Sequence, residues 1–183
     1  MDTPRELFLH ELSDLLSAEH IIAKTLGELA RETQHDEMKT AFKEHGNESK
    51  EQVKRLEQAF KLLGEKPEDV TCHAAEGLRK EHEELHEENP SPEVLEMGNL
   101  LGAAKTEHYE IASYTGLVQI AKDLGEREVA DLLKQNLDEE TAMAKRIVDF
   151  TKTVGKEAKQ ELKEQEKAEK QAEKEEAKAN ANA

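Results

Sequence analysis

Four long stretches of the chain keep apolar residues at alternating steps of three and four, and each is interrupted near its middle by an acid. Such spacing places residues on one face of a helix, so these stretches predict four long helices with buried stripes. The first stripe is Phe8, Leu12, Leu15, Glu19, Ile22, Leu26 and Leu29, without a slip. The second runs Met38, Ala41/Phe42, His45, Glu48, Gln52/Val53, Leu56, Ala59/Phe60 and Leu63. The third takes Met97, Leu101 and Ala104, then Ile111, Tyr114, Val118, Ala121 and Leu124, with Glu107 and Glu110 inside it. The fourth is Val129, Leu133, Asn136, Glu139/Glu140, Met143, Ile147, Phe150 and Val154. An ionised carboxylate in a core costs several kcal/mol unless it is paired or binds a metal. The acids therefore demand an explanation.

Punctuation residues divide the stripes. Pro4, with Asp2 or Thr3 as cap, opens the first helix. The second begins near Asp36 and ends at Gly64. A connection over 65–91 follows, in which Ala74 to Glu87 suits a short helix. Ser91 and Pro92 open the third long helix, which closes at Gly125, and the fourth is expected to stop at Gly155. Residues 1–155 thus form one all-α four-helix bundle. Residues 156–183 hold seven Lys, eight acids and Leu162 as their one large apolar side chain. This Lys/Glu/Ala-rich tail has no face to bury and reads as a solvated helix or a disordered extension off the bundle.

Composition removes several function classes. No apolar run is long enough to span a membrane, and the N-terminus lacks the apolar block of a signal peptide. One cysteine, Cys72, excludes an internal disulfide and fits a cytoplasmic protein. The net charge of -16 opposes nucleic acid and anionic membranes as partners and favours cations.

The stripes also repeat. An 88-residue shift lays Glu19-His20 on Glu107-His108, and a 91-residue shift lays Glu48 on Glu139. That is the pattern of a duplicated helical hairpin. Glu19 and Glu48 are centred on the Thr33-Gln34 turn, and Glu107 and Glu139 lie nearly level about the Leu124-Gly125 turn. A lengthwise 65–91 connection would make the second and third long helices parallel and gather four glutamates, one per helix. With no Lys or Arg on the stripes at that level, two bridged metal ions would neutralise them, the dinuclear carboxylate arrangement of ferritin-like bundles. Glu140 competes with Glu139 because the unbroken 4-3 spacing favours it, and His45 stands one turn before Glu48. His45 reads as a ligand or as a donor to one, while His20 and His108 read as exposed or supporting. Tyr109 and Tyr114 read as core packing, with a redox role for Tyr114 as the alternative. His82-x-x-x-His86 could clip a surface metal, but its polar surroundings favour ordinary solvation, and Cys72 reads as packing.

Ala18-Glu19-His20, His45-Gly-Asn-Glu48 with Arg55-Leu56-Glu57, Glu107-His-Tyr-Glu110-Ile-Ala-Ser-Tyr114 and Leu137-Asp-Glu-Glu140 together resemble the YciE/YciF ferritin-like (ferroxidase) family. The resemblance covers about residues 4–154 and implies a ferritin-like fold with a di-iron site in bacterial cytoplasmic proteins often linked to stress. The chain departs from the wider ferritin-like pattern, which places a histidine three residues after the acid on the second and fourth helices. Here those positions are Glu51 and Ala142. Glu107-x-x-Glu110 is similar to the rubrerythrin-like variant, in which a second carboxylate replaces nitrogen. The expected metal set is Glu19, His45, Glu48, Glu107, Glu110 and Glu139 or Glu140, holding iron or manganese. Two function classes follow. One is a ferroxidase-type oxidoreductase acting on Fe(II) with dioxygen or peroxide. The other is a non-enzymatic stress-protection or interaction module with a degenerate site. A homodimer is compatible with either.

Overall fold

The computed structural model describes residues 1–181, in which five helices follow one another: α1 (Pro4–Glu32), α2 (Asp36–Leu63), α3 (His73–Glu87), α4 (Pro92–Asp123) and α5 (Arg127–Ala181). Among the described residues there is no strand, and no helix is long and apolar enough to cross a membrane. Local chemistry explains most boundaries. Thr3 and Glu6 form a reciprocal capping box ahead of Pro4, and the Ser91 hydroxyl accepts from Val94 ahead of α4. Gly64 and Gly125 take left-handed φ values of 70° and 82° where α2 and α4 end, conformations in which a Cβ would be strained.

Two antiparallel hairpins, α1–α2 and α4–α5, make the bundle. Neighbours across it are α1 with α4 and α2 with α5, while the backbones of the diagonal pairs stay apart among the described residues and only side chains at the centre reach across. Arg146 bonds Glu44 while Arg55 bonds Asn136, so α2 and α5 run antiparallel. Thr33 bonds Glu96 while Tyr109 bonds Asp14, which makes α1 and α4 antiparallel too. It follows that α2 and α4 are parallel. The connection between them climbs the outside of α1. Glu65 meets Arg5, Glu68 meets Ser13, Cys72 meets Ser17, and His82 meets Glu32 at the far end. The lengthwise crossover expected from the sequence is therefore present, with α3 packed on α1 and α4. Gly98 makes that packing close, since a side chain there would collide with Leu85 of α3.

Two expectations need correction. The helix does not stop at Gly155; α5 continues through it to Ala181. A glycine inside a helix costs about 1 kcal/mol, which the helix-favouring residues on both sides offset, and Glu157 pairs with His35 at 3.4 Å just beyond it. The second concerns the N-terminal half of α4. Met97 and Leu101 are 49% and 61% exposed, whereas Glu96, Leu100 and Ala103 are buried. The inward register there is Glu96, Leu100, Ala103, Glu107, Glu110, Tyr114, Leu117, a strict 4-3 alternation one residue off the apolar stripe. Buried Glu96 is satisfied because it accepts from the Thr33 hydroxyl and the Gln34 amide at the α1–α2 turn.

Candidate metal centre

All four long helices present the core in one 4-3 register, which keeps a seam facing its partners over the whole length. That register selects the side chains at mid-height. From α1 comes Glu19; from α2 come His45, Ser49 and Gln52; from α4 come Glu107, Glu110 and Tyr114; from α5 come Asn136 and Glu140. All nine are buried.

The His45 Nε2 atom lies 3.3 Å from Glu107 Oε1 and 3.2 Å from Glu140 Oε2. Two donor triads emerge, His45/Glu107/Glu140 and Glu19/Glu110/Glu140, each with its ligand atoms within 4.8 Å of one another. Glu140 belongs to both. Around them a hydrogen-bonded frame fixes orientation. Tyr114 donates its hydroxyl to Glu19 and accepts from Asn136 at 2.9 Å, and Gln52 donates to Glu140.

The frame leaves much unsatisfied. Both oxygens of Glu110, and one oxygen each of Glu19, Glu107 and Glu140, are buried without a hydrogen-bond partner. Polar atoms this deep nearly always have partners, so the vacant lone pairs mark a place built for something positive. Burial pushes the Glu19 carboxyl up to about 8, with Glu140 beside it adding to the rise. Burial likewise lifts Glu107 to about 7, and lifts Glu110 well above the carboxylate range, helped by Glu140, Glu19 and Glu107. For His45 burial alone would favour the neutral ring, but the carboxylates of Glu107, Glu140 and Glu48 outweigh it and raise its pKa. One imidazole faces four carboxylates. The donor set, four carboxylates and a nitrogen with open lone pairs, fits hard or borderline cations such as iron or manganese. Glu19, Glu107, Glu110, Glu140 and His45 would hold them.

The structure places two of the seven expected residues outside this cluster. The Glu48 side chain is 46% exposed and sits behind the ring of His45, its oxygen 3.0 Å from Nδ1. The α2 register steps from His45 to Ser49, so position 48 points sideways. Glu139 is held by Arg55 in a fork of 2.6 and 2.7 Å, with Gln52 at 2.9 Å, while Glu140 takes the inward position. The picture of one glutamate per helix is corrected accordingly: α2 sends an imidazole and α4 sends two carboxylates. His20 and His108 are exposed. Tyr114 is more than packing, because its hydroxyl links Glu19 to Asn136. Beyond packing, the Cys72 sulfur lies 3.0 Å from the Tyr109 hydroxyl, and burial raises its thiol pKa. The missed frame residues, Gln52 and Asn136, were visible as polar members of otherwise apolar stripes.

A narrow cavity of about 30 Å³, enough for a water molecule, runs between α1, α3 and α4 and is bounded by Ile22, Leu26, His82, Ala103, Thr106 and Glu107. It brings one wall of the buried cluster toward the crossover side of the bundle.

Two antiparallel hairpins with a lengthwise crossover, enclosing carboxylates around one imidazole, define a helical bundle with a candidate metal centre. The chain belongs to the family described as Domain of unknown function (DUF892), which matches residues 3–163, and the YciE/YciF likeness seen in its motifs holds. It is 37% identical over 161 residues to Protein YciF of Escherichia coli K12, covering 87% of this chain and 97% of that one. The crystal structure of the E. coli stress protein YciF superposes with a TM-score of 0.82 at 36% identity, over 85% of this chain and 99% of that one. YcfI of Rhodopseudomonas palustris, provisionally described as a structural protein, matches with a TM-score of 0.77 at 36% identity, over 80% and 93%. A Xanthomonas campestris protein shares the fold at 20% identity and a TM-score of 0.70, over 88% and 99%.

Proposed function

We propose that this chain is a cytoplasmic, ferritin-like di-iron carboxylate protein that oxidises Fe(II) with dioxygen or peroxide. The observation that carries the reading is Glu140, shared between two buried triads whose remaining members come from the other three helices. A carboxylate common to two donor sets is what a pair of adjacent cations requires. The likeness to a stress protein fits a role in removing reactive iron or peroxide.

Bound iron would supply the one-electron chemistry. Two Fe(II) ions release two electrons, which reduce dioxygen to hydrogen peroxide or peroxide to two waters, with two protons taken up in either case. The chain's own part is to bind, orient and balance charge. Burial raises the carboxyls of Glu19, Glu107 and Glu110, so these must lose protons for cations to enter and loading releases protons. Tyr114 holds Glu19 and Gln52 holds Glu140, limiting the rotation of two ligands before metal arrives. Glu48 on Nδ1 of His45 keeps Nε2 turned inward. Carboxylates favour the ferric over the ferrous ion, so oxidation tightens binding and draws the reaction forward.

The test is anaerobic loading with about two Fe(II) per chain, followed by dioxygen or peroxide. Ferric absorption should develop faster than in buffer and be lost in Glu107→Ala, with helical content nearly unchanged. Equal rates in parent and variant would leave the non-enzymatic stress-protection module as the better reading.

A further inference from the structure

A second group of metal-binding side chains lies away from the buried centre, where α3 meets the end of α1. Glu32 Oε2 is 3.0 Å from Nε2 of His82 and 3.0 Å from Nε2 of His86. These three form a donor triad of their own, distinct from the two at mid-bundle. The spacing explains the convergence, since residues four apart on a helix share a face and Glu32 is the last residue of α1. The two rings stand edge to face, their centroids 4.8 Å apart.

As a hydrogen-bonded cluster the arrangement is poor. His86 Nε2 is close to Glu32 yet makes no hydrogen bond, and His82 Nδ1 is buried without a partner. Asn99 adds a third nitrogen to the same Glu32 oxygen at 3.1 Å. Only 3% exposed, Asn99 leaves its own Oδ1 unpartnered. As a metal site it is nearly built. Nitrogen and oxygen donors about 2.0–2.1 Å from a tetrahedral ion stand roughly 3.3 Å apart, so the 3.0 Å separations need only a few tenths of an ångström of opening.

We propose that Glu32, His82 and His86 bind one divalent first-row transition ion, of which zinc is the best match, with water in the remaining position. Two imidazoles and one carboxylate are the borderline donor set that Zn(II) or Co(II) accepts. The ion would clamp the crossover helix to α1. This site does not depend on the reading of the buried centre, because its donors are different residues.

Co(II) serves as the probe, titrated into metal-free full-length protein at pH 7.5 and followed by equilibrium dialysis and visible absorption. The parent should bind one more ion per chain than His86→Ala and show the intense bands of a four-coordinate ion, which Zn(II) should displace. Glu32→Gln should weaken that ion at least about tenfold, the loss already typical when groups that merely support ligands are removed. His86 is partly exposed, so its variants should fold, and a melting curve without metal checks this; His86→Gln replaces the alanine variant if that one fails. Equal stoichiometry and spectrum in parent and folded His86 variant would overturn the proposal, as would unchanged affinity in Glu32→Gln.

Discussion

Mid-bundle charge comes in two layers that are neutralised differently. The outer layer, at the rim between α2 and α5, is closed by the protein itself: Arg55 grips Glu139, Arg146 reaches Glu44, and Glu48 leans on His45. The inner layer, Glu19, Glu107, Glu110 and Glu140, has no arginine or lysine within the cluster and leaves five oxygens without hydrogen bonds. Glu139 and Glu140 are adjacent in sequence and fall on opposite sides of this divide. A carboxylate that faces solvent can be satisfied by a long basic side chain. Those that face the seam share only the His45 imidazole, and must otherwise be protonated or neutralised by something brought in from outside.

The largest effect should come from breaking the inner layer. Glu140→Ala removes the donor common to both triads, so the rise in melting temperature on adding Fe(II) or Mn(II) should vanish, along with accelerated iron oxidation. Glu139→Ala should keep most of both, because it frees Arg55 and leaves Gln52 on Glu140. A loss of similar size in the two variants would erase the distinction between layers. A paired melting experiment with and without metal is sufficient.

Titration is the next test. Glu19 and Glu107 have folded pKa values raised to about 8 and 7, from 4.5 when unfolded. Between those limits the folded metal-free protein holds more protons than the unfolded chain, so stability falls as pH rises. The contribution is full below about pH 4.5 and is lost on passing through 7 to 8. His45, also raised, acts in the same direction, its share being full below 6.5 and lost above its folded value. Metal-free protein should therefore melt lower at pH 8.5 than at pH 6, and the stabilisation by added metal should grow over the same interval. A metal-free melting temperature that climbs with pH would show that the inner carboxylates are already ionised and neutralised.

These contrasts expose what the sequence could and could not disclose. Glu19 was legible because a strictly spaced apolar run carried it inward, His45, Glu107 and Glu110 because each interrupts a helical apolar stripe, and the crossover from its length. Four features were not. In α2 the stripe read through Glu48, although the 4-3 spacing through Phe42, His45, Gln52 and Leu56 selects Ser49. In α4 the apolar Met97 and Leu101 drew the stripe one residue off, because hydrophobicity does not report that Thr33 and Gln34 wait to satisfy Glu96. Neighbours supplied by another helix are invisible along one chain. The same limit hid Tyr114's hydroxyl and the meeting of Glu32 with His82 and His86.

The frame that separates the layers should matter less than the ligands. Tyr114→Phe keeps the ring but strands a buried Glu19 oxygen and leaves the Asn136 amide only its 3.5 Å bond to the Gln52 carbonyl. A lost partner in such a place costs about 1–3 kcal/mol, which denaturant unfolding of the metal-free protein would reveal. Iron oxidation should persist at a reduced rate if Tyr114 only orients Glu19. Complete loss with metal binding intact would instead make the tyrosine a participant in electron transfer.

The smallest effect is expected where α5 leaves the bundle. Up to Val154 the helix is anchored by buried side chains, and Glu157 still reaches His35, but Leu162 is 61% exposed and residues 159–168 all lie open to solvent. A segment that buries so little contributes mainly through i,i+4 ion pairs of about 0.3–0.5 kcal/mol each, formed within its own helix rather than against the core. Removing residues 163–183 should shift unfolding by no more than about 0.5 kcal/mol and leave both metal stoichiometry and oxidation rate unchanged. The charge of the two layers would then be a property of residues 1–162 alone. A substantial loss of stability or metal affinity in the shortened chain would mean that the distal helix folds onto the bundle or a second copy of it, and that the outer layer extends further than Arg55 and Arg146.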